Sequence, residues 1–160
     1  MRRLRLGMLV AAIAIGSAGP AWADATAFLG ANTTPANRQV RGFSIGAGLA
    51  LVAFEFEYAR TSDDPLAAAP ALWTGMGNLL LQTPIAILGF QPYFTAGGGL
   101  YNEKLGTHSH TGFAPNSGGG VKVNLAGPVR LRVDYRVFKL GSGALYSPAH
   151  RVYAGVNLKF

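Results

Sequence analysis

The segment 129–138 constrains the fold most, because charged and apolar residues alternate without interruption over 129–137. Successive side chains of a β-strand point to opposite faces of the sheet. The alternation therefore predicts a strand with one apolar face and one charged face. The apolar face carries Val129, Leu131, Val133, Tyr135 and Val137. The opposite face carries Arg130, Arg132, Asp134, Arg136 and Phe138.

The segment 151–160 shows the same period. Val152, Ala154, Val156, Leu158 and Phe160 fall on one face, and polar residues or glycine fall between them. An apolar strand at an open sheet edge is hazardous for a soluble protein, because it can pair with other chains. The strand that closes a barrel has no free edge, and its apolar face can lie in lipid. We therefore expect both segments to be walls of a transmembrane barrel, with the charges inside.

The composition favours the same class of protein. The chain is 49% hydrophobic and 13% charged, whereas soluble domains carry about 25% charged residues. No apolar run after residue 23 is long enough for a membrane-spanning helix, so alternating strands are the remaining way to cross a bilayer.

The N-terminal segment 1–23 has the features of a secretory signal. Three arginines precede an apolar run over 6–18, and Ala21-Trp22-Ala23 matches a cleavage site for small residues. We expect 1–23 to be removed and 24–160 to form one outer-membrane barrel domain. Loss of the three arginines lowers the formal net charge from +7 to +4. This charge is too small to indicate nucleic-acid binding.

Turn residues divide the remaining chain into eight extended segments, 26–31, 40–49, 52–61, 71–82, 90–101, 115–125, 129–140 and 149–160. Long links, among them 102–114, alternate with short ones. This alternation is typical of outer-membrane barrels, which have long extracellular loops and short periplasmic turns. The predicted fold class is all-β, an eight-stranded antiparallel up-and-down transmembrane β-barrel.

The charged face of each segment predicts what fills the barrel. An eight-stranded barrel is just wide enough to be filled by side chains. We expect a luminal polar network of Glu55, Glu57, Lys122, Arg130, Arg132, Asp134 and Arg136. Such a lumen would not form a large pore. The faces of the fourth and fifth segments stay open, because Leu79, Leu80 and Leu81 are consecutive and the fifth is rich in glycine.

Three parts of the sequence carry a family resemblance: Ala21-Trp22-Ala23, the segment 91–101 (QPYFTAGGGLY) and the terminus 152–160. Together they resemble the small outer-membrane barrels of the OmpA-like, OmpX-like and opacity-protein-like groups. The resemblance implies residence in the outer membrane, in contact with lipopolysaccharide and phospholipid. It also implies that Phe160 is the assembly signal read by the barrel-assembly machinery.

Two groups of residues could carry chemistry. His108-Ser109-His110 could belong to a metal site or to a lipid A deacylase-like site, but the sequence offers few further ligands and no acidic residue after Ser109 until Asp134. Glu55 and Glu57 could form an acid/base pair, but luminal ion pairing accounts for them better. We therefore expect no enzymatic activity, no metal and no cofactor, and interpret the histidine cluster as part of a polar loop.

The predicted function is that of a structural outer-membrane protein, which contributes to membrane integrity or to surface interactions. A lipid A deacylase-like enzyme is one alternative. A soluble periplasmic lipocalin-like barrel is another, and it would require the opposite orientation, with apolar residues inside and Arg130, Arg132 and Arg136 in water. The oligomeric state does not follow from the sequence.

Overall fold

The computed structural model describes residues 21–160, and they form a closed barrel of eight strands. The strands are β1 (Ala21–Asn32), β2 (Arg38–Leu49), β3 (Val52–Thr61), β4 (Ala71–Gln82), β5 (Phe90–Leu105), β6 (His108–Ala126), β7 (Val129–Phe138) and β8 (Ala149–Lys159). Each strand is antiparallel to the next, and β8 pairs with β1 to close the barrel. The predicted fold class and strand order are confirmed.

The largest departure from the prediction lies between β5 and β6. The segment 102–114, expected to be a loop, instead extends both strands up to a two-residue turn at Gly106-Thr107. Gly106 has a φ of +57°, which suits the tight turns of β-hairpins. The prediction of a loop was wrong because it depended on the polar residues of 102–114. Strands that continue beyond the apolar wall do not need apolar side chains, so polar residues are compatible with a strand there.

Strand β1 begins five residues earlier than predicted. Ala21, Trp22 and Ala23 pair with Leu49, Gly48 and Ala47 of β2. Signal cleavage after Ala23 stays a prediction, and it would shorten β1 by these three residues. Residues 1–20 of the expected signal lie outside the described residues.

Every strand carries large apolar side chains on the outer wall, and Arg41 of β2 and Arg60 of β3 are exposed there as well. The structure shows which face of β4 is inward, a point that the sequence left open. Leu80 is buried in the lumen, whereas Leu79 and Leu81 point outward. On β5, Tyr93 points inward and Phe94 outward. Within residues 21–160 no helix is long and apolar enough to cross a membrane.

The loop end of the barrel is closed by an apolar cluster of Leu72, Met76, Tyr101, Ala114, Phe138, Leu140 and Ala149. The loop 139–148 folds over this cluster. The Gly141 amide donates to the Tyr101 hydroxyl at 3.0 Å, and the Leu145 amide donates to Glu103 Oε1 at 2.7 Å. These contacts keep the loop over the barrel mouth.

Candidate functional site

The middle of the lumen is organised around Arg132, which is fully buried. Its guanidinium forms two hydrogen bonds to Glu55, one of them from Nη2 to Oε1 at 3.2 Å. Nη2 also lies 3.2 Å from Asp134 Oδ2, and Nε donates to the Tyr93 hydroxyl at 2.7 Å. The Tyr93 hydroxyl in turn donates to Asp134. Arg132 therefore joins β3, β5 and β7 across the barrel.

A second layer lies closer to the loop end. Arg136 Nε donates to Asp134 Oδ1 at 2.9 Å, and its Nη2 donates to Glu55 Oε1 at 2.8 Å. Glu57 lies between two arginines, 3.0 Å from Arg136 Nη1 and 2.9 Å from Arg151 Nη1. The two layers share Glu55 and Asp134, so they form one continuous network.

A third layer lies near the end of the barrel where the short turns are. Asp24 Oδ2 accepts from Lys122 Nζ at 2.5 Å and from Arg130 Nη2 at 3.1 Å. Arg130 also donates to Asn157 Oδ1 at 2.8 Å and to Gln91 Oε1 at 2.9 Å. In this layer one carboxylate accepts hydrogen bonds from two cations, and the side-chain amides of Asn157 and Gln91 accept the remaining hydrogen bonds of Arg130.

The structure thus brings together all seven residues of the predicted luminal network. It adds Asp24, Arg151, Tyr93 and Tyr153, which the sequence-based set lacked. Arg151 and Tyr153 lie on the polar face of 151–160, so the alternation pointed to them. Asp24 was missed because the first strand was predicted to begin at Thr26, although Asp24 and Thr26 share a face.

These side chains fill the lumen. The buried charged groups of the three layers are Lys122, Arg130, Arg132, Arg136, Arg151, Asp24, Glu55, Glu57 and Asp134. Burying a charge without a partner is costly, so each charge needs several polar contacts. The network provides them, and it leaves a core of ion pairs where a soluble domain has apolar side chains.

The histidine cluster lies on β6, not in a loop, which corrects the earlier interpretation. His108 Nε2 is 3.4 Å from Glu103 Oε1 of β5, and the rings of His110 and Tyr101 are 5.8 Å apart. Ser109 points to the opposite face, as alternation along a strand requires. Its hydroxyl therefore does not meet either neighbouring imidazole, and the three residues do not form a nucleophile and base pair. Among residues 21–160 no three His, Cys, Asp or Glu side chains are grouped to hold a metal ion.

Phe160 follows β8 on the outer wall. Its backbone exchanges two hydrogen bonds of 2.9 Å with Ala23 of β1, and its side chain is 72% exposed. The orientation of the whole wall is the reverse of the one that a soluble lipocalin-like barrel requires, because Arg130, Arg132 and Arg136 are inside.

Comparison with protein-family models gave no match, and neither did comparison with curated protein sequences. Solved structures are similar over most of their length. The N-terminal β-barrel domain of Pseudomonas aeruginosa OprF has a TM-score of 0.66 at 18% identity, over 87% of this chain and 97% of that chain. Neisserial surface protein A (NspA) has a TM-score of 0.62 at 19% identity, over 88% and 96%.

The outer membrane enzyme PagL is more distant, with a TM-score of 0.54 at 12% identity over 84% of this chain and 98% of that chain. At these identities the similarity establishes the fold alone. The chain therefore has the fold of the eight-stranded outer-membrane barrels, and one fold serves both an enzyme and surface proteins.

Proposed function

We propose that this protein is an integral outer-membrane barrel with a closed lumen, which serves membrane integrity or surface interaction and catalyses no reaction. The observation that carries the proposal is the distribution of side chains across the wall. Glu55 and Glu57 of β3 and the four charges of β7 are buried in the lumen, while a closed band of large apolar side chains faces outward. A closed barrel with an apolar exterior satisfies every backbone group in lipid.

The outward band supports membrane residence in two ways. Leu29, Phe54, Leu79 and Phe113 are each about 60% exposed, and such residues continue around the whole barrel. Soluble monomers rarely expose contiguous apolar patches of more than a few hundred Å². Phe43, Tyr58 and Trp73 form an aromatic row towards the loop end, which matches the girdles of outer-membrane barrels.

In this proposal Phe160 is the assembly signal, because its aromatic side chain stays exposed beside the barrel seam. Lipopolysaccharide and phospholipid surround the wall. The long loops, with 139–148 held over the mouth, are the parts available for surface interaction.

The first test is residence and heat-modifiability. We expect the protein to fractionate with the outer membrane and to migrate differently on detergent gels before and after boiling, because a closed barrel resists detergent until heated. A gel of both samples, with the outer-membrane fraction separated by density, measures this. Recovery in the soluble periplasm without a heat-dependent shift would contradict the proposal.

The second test concerns the lumen. We expect no large, stable conductance, because Arg132, Arg136 and Arg151, with their carboxylate partners, fill the cross-section of the barrel lumen. Planar-bilayer recordings would use protein whose folded state has been checked by its heat shift, with a porin in the same lipid as the positive control. Steady porin-sized steps from the folded protein would show that the lumen is open.

A further inference from the structure

A groove on the outer wall combines an apolar floor with two arginines. The groove has a volume of about 590 Å³ and crosses the outer face where β8, β1, β2 and β3 adjoin. Its floor is low at Ala27 and Ala154, and the larger side chains of Leu29, Phe43 and Val156 rise beside it. The short alanine side chains on neighbouring strands therefore create a depression in an otherwise bulky wall.

Arg41 and Arg60 line the same groove and are directly opposed across β2 and β3. Both side chains are exposed on the outer face. Like charges in directly opposite positions of an antiparallel pair destabilise a sheet. No ion pair within 4.0 Å involves either arginine among residues 21–160. The pair is thus a positive site on the outer wall, and within the described residues it has no ion-pair partner at 4.0 Å or less.

The depth of the pair in the wall indicates what would neutralise it. Arg41 and Arg60 lie two residues beyond Phe43 and Tyr58 towards the loops, and Arg60 is directly opposite Trp73 of β4. The rings of Phe43 and Tyr58 are stacked with centroids 5.5 Å apart, and Trp73 meets Tyr58 at 5.7 Å. Aromatic side chains of this kind mark the membrane interface, so the arginines lie at headgroup level.

We infer that this groove binds the phosphorylated, multiply acylated lipid of the outer leaflet, lipopolysaccharide. The two guanidinium groups would hold a phosphate of its lipid A headgroup, and one acyl chain would lie over Ala27 and Ala154. Guanidinium groups match phosphate oxygens in charge and in bidentate geometry. A phosphate monoester carries more negative charge than a phosphodiester, which suits a site with two cations.

Asp63 provides an internal check on the charge argument. It lines a smaller groove of about 290 Å³ that Arg41 and Arg60 also line, together with Gln39 and Ser62. Its carboxylate would repel a phosphate bound to the pair. Asp63→Asn should therefore strengthen binding, whereas a site that does not use the arginines would be unaffected.

The inference rests on the proposed function, and its test separates the two. Purified protein in neutral detergent would be mixed with bisphosphorylated lipid A, with its dephosphorylated form, or with a diester phospholipid. Native mass spectrometry would count bound lipid. We expect the wild type to prefer the bisphosphorylated form, and Arg41→Gln with Arg60→Gln to weaken its binding at least about tenfold, since hydrogen bonds to charged groups are lost.

Matched variants control for charge and for bulk. Lys104→Gln with Lys139→Gln removes the same charge from exposed sites outside the groove and should leave binding unchanged. Ala27→Trp should fill the groove and weaken binding, whereas Ala96→Trp on the outer face of β5 should not.

Every variant is first assayed for the heat-dependent gel shift. Absence of the shift in the wild type would contradict the proposed function. If the folded wild type binds dephosphorylated lipid or diester phospholipid equally well, or if the lysine variant loses binding as the arginine variant does, the inference of a lipopolysaccharide site is wrong.

Discussion

Arg132→Leu is expected to destabilise the folded barrel by about 3–5 kcal/mol. This is the range found when one partner of a buried ion pair is removed and the other charge stays buried. Arg132 is fully buried and contacts Glu55, Asp134 and Tyr93. Its removal leaves two carboxylates with only Arg136 as their shared cation. A urea titration of protein folded into lipid vesicles would measure the free energy of unfolding.

Two further variants show whether the effect comes from charge. Arg132→Lys keeps the charge but loses the bidentate contact to Glu55, so its cost should be clearly smaller. Glu55→Gln combined with Arg132→Leu should cost less than the sum of the two single changes, because both remove the same interaction. A loss within about 0.5 kcal/mol for Arg132→Leu, as expected at an exposed surface, would mean that the faces of β7 are assigned wrongly.

Gly99→Ala is expected to be the second damaging change, with a cost of at least about 3 kcal/mol, at the upper end of overpacking effects. A Cβ at this position of β5 would overlap the carbonyl oxygen of Gly75 and would lie 2.8 Å from the Cα of Met76. Both are backbone atoms of β4, so no side-chain rotation can relieve the contact. The yield of the heat-modifiable folded form and its unfolding midpoint in urea would measure the loss.

Gly77→Ala is the matched control. It lies on the neighbouring strand, and its nearest contact for a new Cβ is the ring of Phe54 at 3.5 Å, which is ordinary van der Waals distance. This variant should fold almost as well as the wild type. If both substitutions were equally harmless, the close approach of β4 and β5 would not be as the structure has it.

The glycines show why local sequence cannot predict such costs. In the sequence, the triplet Gly97-Gly98-Gly99 indicates curvature and close packing in a small barrel, but not which glycine is in close contact with a neighbouring strand. Only the tertiary structure distinguishes Gly99, which meets the backbone of β4, from Gly77, whose position has room for a side chain. The approach of two strands depends on the curvature of the whole barrel, which no local pattern encodes.

The sequence predicted the strand order and the closed all-β fold from turn residues, link lengths and alternation together, and alternation alone determined the orientation of β3 and β7. A shift of one residue in β7 would turn Arg130, Arg132, Asp134 and Arg136 outward. Because side chains alternate between two faces, only one orientation of β7 keeps these four charges in the lumen. The consecutive leucines 79–81 gave no such signal, and only pairing with β3 and β5 placed Leu80 inside.

Partners within the lumen were decided by the tertiary structure. The sequence placed Arg132 and Glu55 on inward faces, but their contact joins residues 77 positions apart across the barrel. Asp24 and Lys122, which are 98 positions apart, meet in the same way. On the outer wall, the register of β2 with β3 sets Arg41 opposite Arg60. A period-two pattern states which side of the wall a residue occupies. Closure, register and strand tilt decide which residues meet, because they set the positions of distant strands relative to each other.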